Sequence, residues 1–230
     1  PKCRIIMSES MRDKIVNHLV SHYILFPLIE PKLIDVNVAT RANKGTKAGI
    51  YYMKKYINSL KLKYNNFYVL KCDISKFFYS IDHDILLDML SKIIVDKDVY
   101  NLVKEIINST NYTYLGETIK DIINKRKNEI SKLNISDNEK KIKYAELDRI
   151  PLYSYNKGLP IGNMSSQIFA IFYLNDLDDT IVINDLKNAG KPFIIILNTV
   201  HPHNEETVTL KEPEVEKHEE TVTSKESEVE

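Results

Sequence analysis

The chain has 230 residues, 43% of them hydrophobic, which is enough for a buried core in one large domain or two small ones. Charged residues make up 28%, and no apolar run reaches the roughly 18 to 20 residues of a membrane-spanning helix, so we expect no membrane partner. Cys3 and Cys72 are too few for a disulfide-stapled fold and match no paired metal-ligand spacing, which predicts a cytoplasmic protein. Residue 1 is Pro, so we expect a fragment that lacks its natural N-terminus.

The net charge of zero conceals two parts of opposite sign. Residues 205–230 contain ten Glu and three Lys, a net charge of −7, which leaves +7 on the rest of the chain. The same segment is a 14-residue repeat that starts at Glu205 and again at Glu219, without an aromatic residue. Such a composition cannot bury enough surface to offset its ordering entropy. We predict that residues 201–230 form a disordered acidic tail that does not pack on the body, and that this tail binds a protein partner.

Hydrophobic spacing predicts mixed helix and strand along the body. Residues 11–30 have apolar groups three and four apart, as in a helix that ends before Pro27, and residues 49–60 repeat this pattern. Residues 67–73 are rich in β-formers and predict a strand that ends at Asp73. Further elements are a helix capped by Ser80 or Asp82, a helix over 165–177 capped by Ser165, and a strand over 192–197. The charged residues 116–150 predict either helix with exposed faces or a loose insertion.

Two sequence blocks could carry chemistry. In Lys71-Cys-Asp-Ile-Ser-Lys-Phe-Phe-Tyr-Ser-Ile-Asp-His83, a carboxylate ends a predicted buried strand, a position from which Asp73 could bind Mg²⁺ at a sheet edge. An ordinary strand-end role for Asp73 is the alternative. In Gly158-Leu-Pro-Ile-Gly-Asn-Met-Ser-Ser-Gln167, glycines precede a helix, which would let the backbone approach a ligand closely. An ordinary capped turn is the alternative there. His83, Asp82 and Asp84 are interpreted as surface or capping residues.

Together the two blocks resemble the palm motifs of bacterial retroelement reverse transcriptases. The form Leu159-Pro-Ile-Gly-Asn-Met-Ser-Ser-Gln167 looks most like the diversity-generating retroelement type, with the group II intron and retron types next. The resemblance implies an α+β right-hand polymerase fold of fingers and palm, with a truncated palm and no thumb. In such a fold, Asp73 would end a central strand of an antiparallel sheet. It implies fingers over residues 1–60, a partial palm over 61–200 with an insertion at 116–150, and the tail beyond.

The resemblance also implies roles for individual residues. Asp73 would be the catalytic ligand of two Mg²⁺ ions in an RNA-directed DNA polymerase, with an RNA template, a DNA or RNA primer and deoxynucleotide triphosphates as partners. Arg41 and Lys44 match a further fingers motif. For these two residues, and for Lys2 and Arg4, a role on the solvated surface is equally compatible with the sequence. The implied nucleotide-binding residues are Lys2, Arg4, Ile74, Ser75, Phe78, Gly162, Ser166 and Gln167. For Phe78, a core aromatic is the alternative to a steric gate against the ribose 2′-hydroxyl.

The sequence departs from that family after the second block. An aromatic-x-Asp-Asp turn should follow, but residues 191–200 contain no Asp, and the pair Asp178-Asp179 lies at a predicted helix end. Metal binding should therefore be weak, and we expect no sustained reverse transcription. A non-catalytic RNA- or partner-binding protein of the same shape is the alternative function, and a decayed gene product without a role is a third.

Overall fold

The computed structural model describes residues 3–180, 193–198 and 206–211. These residues form ten α-helices and four short strands. The helices are α1 Met11–Val20, α2 Phe26–Ile29, α3 Thr46–Lys63, α4 Phe77–Ser80, α5 His83–Ser91, α6 Lys97–Asn108, α7 Thr113–Ser131, α8 Asp137–Asp148, α9 Met164–Tyr173 and α10 Asn175–Thr180; the strands are β1 Cys3–Ser8, β2 Tyr68–Asp73, β3 Phe193–Asn198 and β4 Glu206–Lys211.

The first helical segment continues through Pro27, so the predicted end before this proline is wrong. A π-helical turn over Ser21–Leu25 joins α1 to α2, and the Phe26 N–H donates to the Ser21 carbonyl five residues back. Pro27 then lies in the first turn of α2. A proline inside a helix removes one backbone N–H donor and crowds the carbonyl four residues back, and the π-helical turn with its five-residue hydrogen bond accommodates it.

The predicted second helix and the first predicted strand are confirmed. Helix α3 includes residues 49–60 and extends beyond them at both ends, and β2 covers residues 68–73. The C-terminal strand predicted over 192–197 is confirmed as β3. These elements follow from local patterns of apolar and β-branched residues, which is why sequence alone predicted them.

Two predicted helix caps have different outcomes. Asp82 caps α5, since its carboxylate accepts from the backbone N–H groups of Asp84 and Ile85 at 3.1 and 3.3 Å. Helix α9 begins earlier than predicted, with Asn163 at its N-cap position. The proposed cap Ser165 is therefore wrong, because this residue lies inside the helix.

The strand that ends at Asp73 pairs in parallel with β3. The register places Tyr68 opposite Phe193 and Asp73 opposite Asn198. The expected antiparallel arrangement is therefore wrong for this pair. Strand β2 is also exposed rather than buried, with Val69 and Leu70 each 52% exposed.

The second strand pair joins the two ends of the chain. Strand β1 pairs in parallel with β4, with Cys3 opposite Glu206 and Ser8 opposite Lys211. The prediction that the tail does not pack on the body is wrong for residues 206–211, because they add a strand to β1. The other residues of the predicted tail lie outside the described ranges.

Two hydrophobic clusters organise the helices. The larger one gathers the segment from α1 to α2 with α5, α6 and α9, and several of its side chains are fully buried. The smaller one joins β1 to α7 and α8, so the charged region 116–150 is helical and packed rather than loose. Fully buried members of the larger cluster include Leu25, Leu86, Val103, Ile168 and Phe169, and the smaller contains Ile5, Ile119, Ile130, Leu147 and Ile150.

The polymerase architecture and the division into fingers and partial palm stay predictions. In the residues that the structure describes, the fold consists of helices around two hydrophobic clusters and of two separate two-stranded sheets. No helix in this part is long and apolar enough to cross a membrane.

Candidate functional site

Asp73 is an exposed carboxylate at the C-terminal end of β2. Its register partner Asn198 is the last residue of β3, so the two strands end at the same edge of their sheet. Ligands in α/β proteins bind outside the carboxyl ends of parallel strands, where loops begin. Lys71 and Lys76 are exposed nearby in sequence and form no ion pair with another described residue. Asp73 is therefore a carboxylate at this edge, with Lys71 and Lys76 close to it in sequence.

A tight turn follows Asp73 directly. Ser75 is exposed, and Lys76 adopts a left-handed conformation with φ 55° and ψ 33°. The Tyr79 N–H donates to the Lys76 carbonyl at 2.9 Å, which starts α4. Turns that contain a left-handed residue present backbone N–H groups to anions such as phosphate. Ile74 is half-buried against the larger cluster and anchors the turn.

Phe78 lies in α4 and is half-buried against the larger cluster. Its ring contacts Phe77 edge to face, with ring centroids 6.0 Å apart. These contacts agree with the alternative of a core aromatic, and a contact with a sugar stays a prediction.

The glycine block lies against the segment that follows Asp73. The Leu159 N–H donates to the Phe78 carbonyl and the Gly158 N–H to the Ile81 carbonyl, each at 2.7 Å. Gly158 has a φ of 91°, and a Cβ there would lie 2.7 Å from the Tyr153 ring. The fold thus brings the two sequence blocks together through backbone contacts that require glycine at position 158.

A buried polar centre, which the sequence did not predict, holds the two blocks together. His83 is fully buried, and its Nε2 lies 2.7 Å from the Gly158 carbonyl oxygen, which also accepts from the Thr110 hydroxyl at 2.8 Å. Since a carbonyl only accepts, Nε2 carries the proton. The other ring nitrogen, Nδ1, is buried without a partner among the described residues. The interpretation of His83 as a surface or capping residue is therefore wrong.

Tyr153 also contacts the glycine block. Its hydroxyl donates to the Leu159 carbonyl at 3.0 Å, and its ring contacts Tyr79 with centroids 4.7 Å apart. Burial raises the pKa of Tyr153, and the nearby Tyr79 raises it further. The phenol therefore stays a hydrogen-bond donor over the whole physiological range.

Gly162 lies where the glycine block meets β1. Its φ is 123°, and a Cβ would lie 2.7 Å from Ile6 Cγ2 and 2.8 Å from the Met7 carbonyl oxygen. The Met7 N–H donates to the Ile161 carbonyl at 2.8 Å. Here the glycine allows close approach of two backbones, and its predicted contact with a nucleotide stays a prediction.

The first turn of α9 contains the other predicted residues of this block. Ser166 is 1% exposed, and its hydroxyl has no partner among the described residues. Gln167 is exposed, and its side-chain oxygen lies 3.5 Å from the Thr40 hydroxyl. Neither observation tests the predicted nucleotide contacts.

A second unpredicted polar group connects α1, α9 and the end of β1. The Glu9 carboxylate accepts from the side-chain amides of Asn17 and Asn163. The Asn17 carbonyl oxygen accepts from the Ser165 N–H at 3.2 Å. No local sequence pattern predicts this group, because its members are up to 154 residues apart.

Two of the predicted cations of the fingers, Arg41 and Lys44, bind backbone carbonyls of their own loop. Arg41 is nearly buried and binds the carbonyls of Ile34 and Asn37, while Lys44 binds the Asp35 carbonyl at 2.7 Å. These contacts give Arg41 and Lys44 a structural role in the loop before α3. Arg4 lies in β1, and Lys2 lies outside the described residues.

No group of three or more His, Cys, Asp or Glu side chains among the described residues could hold a metal ion. Two-metal catalysis uses several ligands around two closely spaced ions, and Asp73 supplies one carboxylate. A single carboxylate does fit Mg²⁺ that arrives with a nucleotide, because such Mg²⁺ takes one or two carboxylates and completes its shell with phosphate oxygens and water.

A model for the ATPase domain of stage IV sporulation protein A matches residues 173–229. The match covers the C-terminal part of the chain and includes β3 and β4. A comparison with curated proteins finds no match.

This match corrects the function inferred from the sequence. The matched segment is the one that should contain the second motif of a reverse transcriptase, but it is similar to an ATPase domain. The resemblance to retroelement reverse transcriptases is therefore wrong, as are the RNA-directed DNA polymerase and nucleotidyltransferase functions. The alternative of an RNA- or partner-binding protein with the same shape has no support either.

Proposed function

We propose that the chain binds a magnesium–nucleoside triphosphate at the edge where β2 and β3 end. One observation carries this proposal: β3 belongs to the segment similar to an ATPase domain, and it pairs in parallel with β2 so that Asn198 lies opposite Asp73. The ligand would thus bind at the carboxyl end of paired parallel strands.

The chemistry of the exposed side chains supports a phosphate ligand. Asp73 would hold Mg²⁺ together with phosphate oxygens, and Lys71 and Lys76 would neutralise the remaining phosphate charge. The Ser75 hydroxyl and the turn after β2 offer further donors. A cytoplasmic location, as the cysteine content predicts, fits a nucleotide ligand.

The proposal is tested by titrating the full chain with a non-hydrolysable ATP analogue, with and without Mg²⁺. Asp73→Asn should weaken binding about tenfold in Mg²⁺ and little in its absence, because it removes a ligand of the metal. Lys76→Ala should weaken binding under both conditions, because it removes a phosphate contact.

The matched control is Asp121→Asn, which neutralises an exposed carboxylate on α7. Its affinity should equal that of the unaltered chain. If Asp73→Asn and Asp121→Asn bind alike, or if the unaltered chain binds no nucleotide, the proposal is wrong.

A further inference from the structure

An exposed groove of about 410 Å³ runs along α1 and the π-helical turn after it. The groove is mainly apolar, and His18 and His22 line it together with Met11, Met164, Ile15, Leu19 and Tyr23. Lys14 also lines the groove, whereas no carboxylate does. The groove is separate from the strand edge at Asp73, and the proposed nucleotide site does not use it.

The two histidines are one helical turn apart. The Ser21 N–H donates to the Asn17 and His18 carbonyls, and Ser21 has φ −61° and ψ −48°, so the backbone between the histidines is helical. Side chains at such i and i+4 positions have Cβ atoms about 5–6 Å apart and face the same way. Both histidines are exposed, and neither imidazole forms a hydrogen bond with another described residue. The His22 ring contacts the Tyr23 ring edge to face, with ring centroids 5.0 Å apart.

Two exposed imidazoles with this spacing can chelate one metal ion, as the two histidines of a His-x-x-x-His helix do. Neutral nitrogen ligands and neighbouring thioethers suit late first-row ions, whereas Mg²⁺ and Ca²⁺ require oxygen ligands. We propose that His18 and His22 form a surface site for a late first-row divalent ion such as Ni²⁺, Cu²⁺ or Zn²⁺, with water in the remaining coordination positions.

The probe is Ni²⁺ alone, titrated into the full chain. Calorimetry measures the affinity, and the paramagnetic broadening of histidine ring signals in NMR spectra identifies the ligands. His18→Gln and His22→Gln should each lower the affinity of this site at least about tenfold, because each removes the intramolecular second ligand. The double variant should be little weaker than either single variant. Broadening should affect the ring signals of His18 and His22 first.

A rescue variant separates chelation from a general loss of structure. Lys14→His in the His22→Gln background restores an i and i+4 pair on the same face and should restore most of the affinity. Asp13→His in that background places the pair five residues apart and should not. The proposal is overturned if single variants change the affinity less than about twofold, if both rescue variants bind equally, or if His201→Gln with His203→Gln abolishes the site instead.

Discussion

Gly162 and Gly116 show how differently one residue type can act in this chain. At Gly162 the φ of 123° and the close approach of Ile6 and Met7 leave no space for a Cβ. Gly116 lies in α7 with nothing within 4 Å of the position that a Cβ would take. The first glycine is a requirement of tertiary packing, and the second has no such requirement.

We therefore predict that Gly162→Ala lowers the free energy of unfolding by about 1–3 kcal/mol, because it combines backbone strain with steric overlap. Chemical denaturation measures this change. Gly116→Ala is the matched control and should raise the free energy of unfolding by about 0.5–1 kcal/mol, since alanine favours helix. Equal effects of both substitutions would contradict the close approach at Gly162.

At the scale of single elements, α6 depends on its N-cap. The Asp96 carboxylate accepts from the backbone N–H groups of Asp98 and Val99 at 2.9 and 3.0 Å. The same helix buries Val103 and Ile107 completely in the larger cluster. Because the buried face belongs to the main core, fraying of α6 affects the stability of the whole fold.

Asp96→Ala should lower the free energy of unfolding by about 1 kcal/mol, because two N–H groups lose their acceptor. Asp96→Asn keeps a side-chain oxygen at the cap and should lose only a few tenths of a kcal/mol. Thermal or urea denaturation of both variants checks the difference. A cost as large for asparagine as for alanine would mean that the cap contact does not stabilise α6.

At the scale of the whole molecule, both sheets pair an N-terminal strand with a C-terminal one. Strand β1 pairs with β4, and β2 pairs with β3, whereas the larger cluster is built from residues 20–174. The larger cluster therefore contains no residue of β3 or β4, whereas both strand pairs require one of these C-terminal strands. Contacts between distant segments carry the larger loop-closure cost, so the strand pairs should open before the core does.

We predict that a chain ending at residue 192 exchanges the backbone amides of β1 and β2 at least about tenfold faster than the full chain, while α5, α6 and α9 keep their protection. Hydrogen exchange followed by mass spectrometry measures both. A chain ending at residue 211 is the control, because it retains all four strands, and its exchange should match that of the full chain. Loss of protection in the core helices at residue 192 would show that the strand pairs and the core unfold together.

The sequence by itself determined the local elements. The apolar spacing of α3, the β-rich composition of β2 and β3, and the cap at Asp82 each depend on residues a few positions apart. Such signals arise from backbone and neighbouring side chains, so they are readable without the fold. The location of Asp73 at a strand end follows from the same local pattern.

Only the tertiary structure decided which segments meet. Tertiary packing buries His83 against the Gly158 carbonyl, and the helix continues past Pro27 through a π-helical turn. Asp73 lies opposite Asn198 in a parallel rather than an antiparallel strand pair. Residues 206–211, predicted from composition to stay apart from the body, gained a partner in β1. The physical reason is that the two strand pairings join residues more than a hundred positions apart, and local composition and periodicity do not encode which distant segments meet.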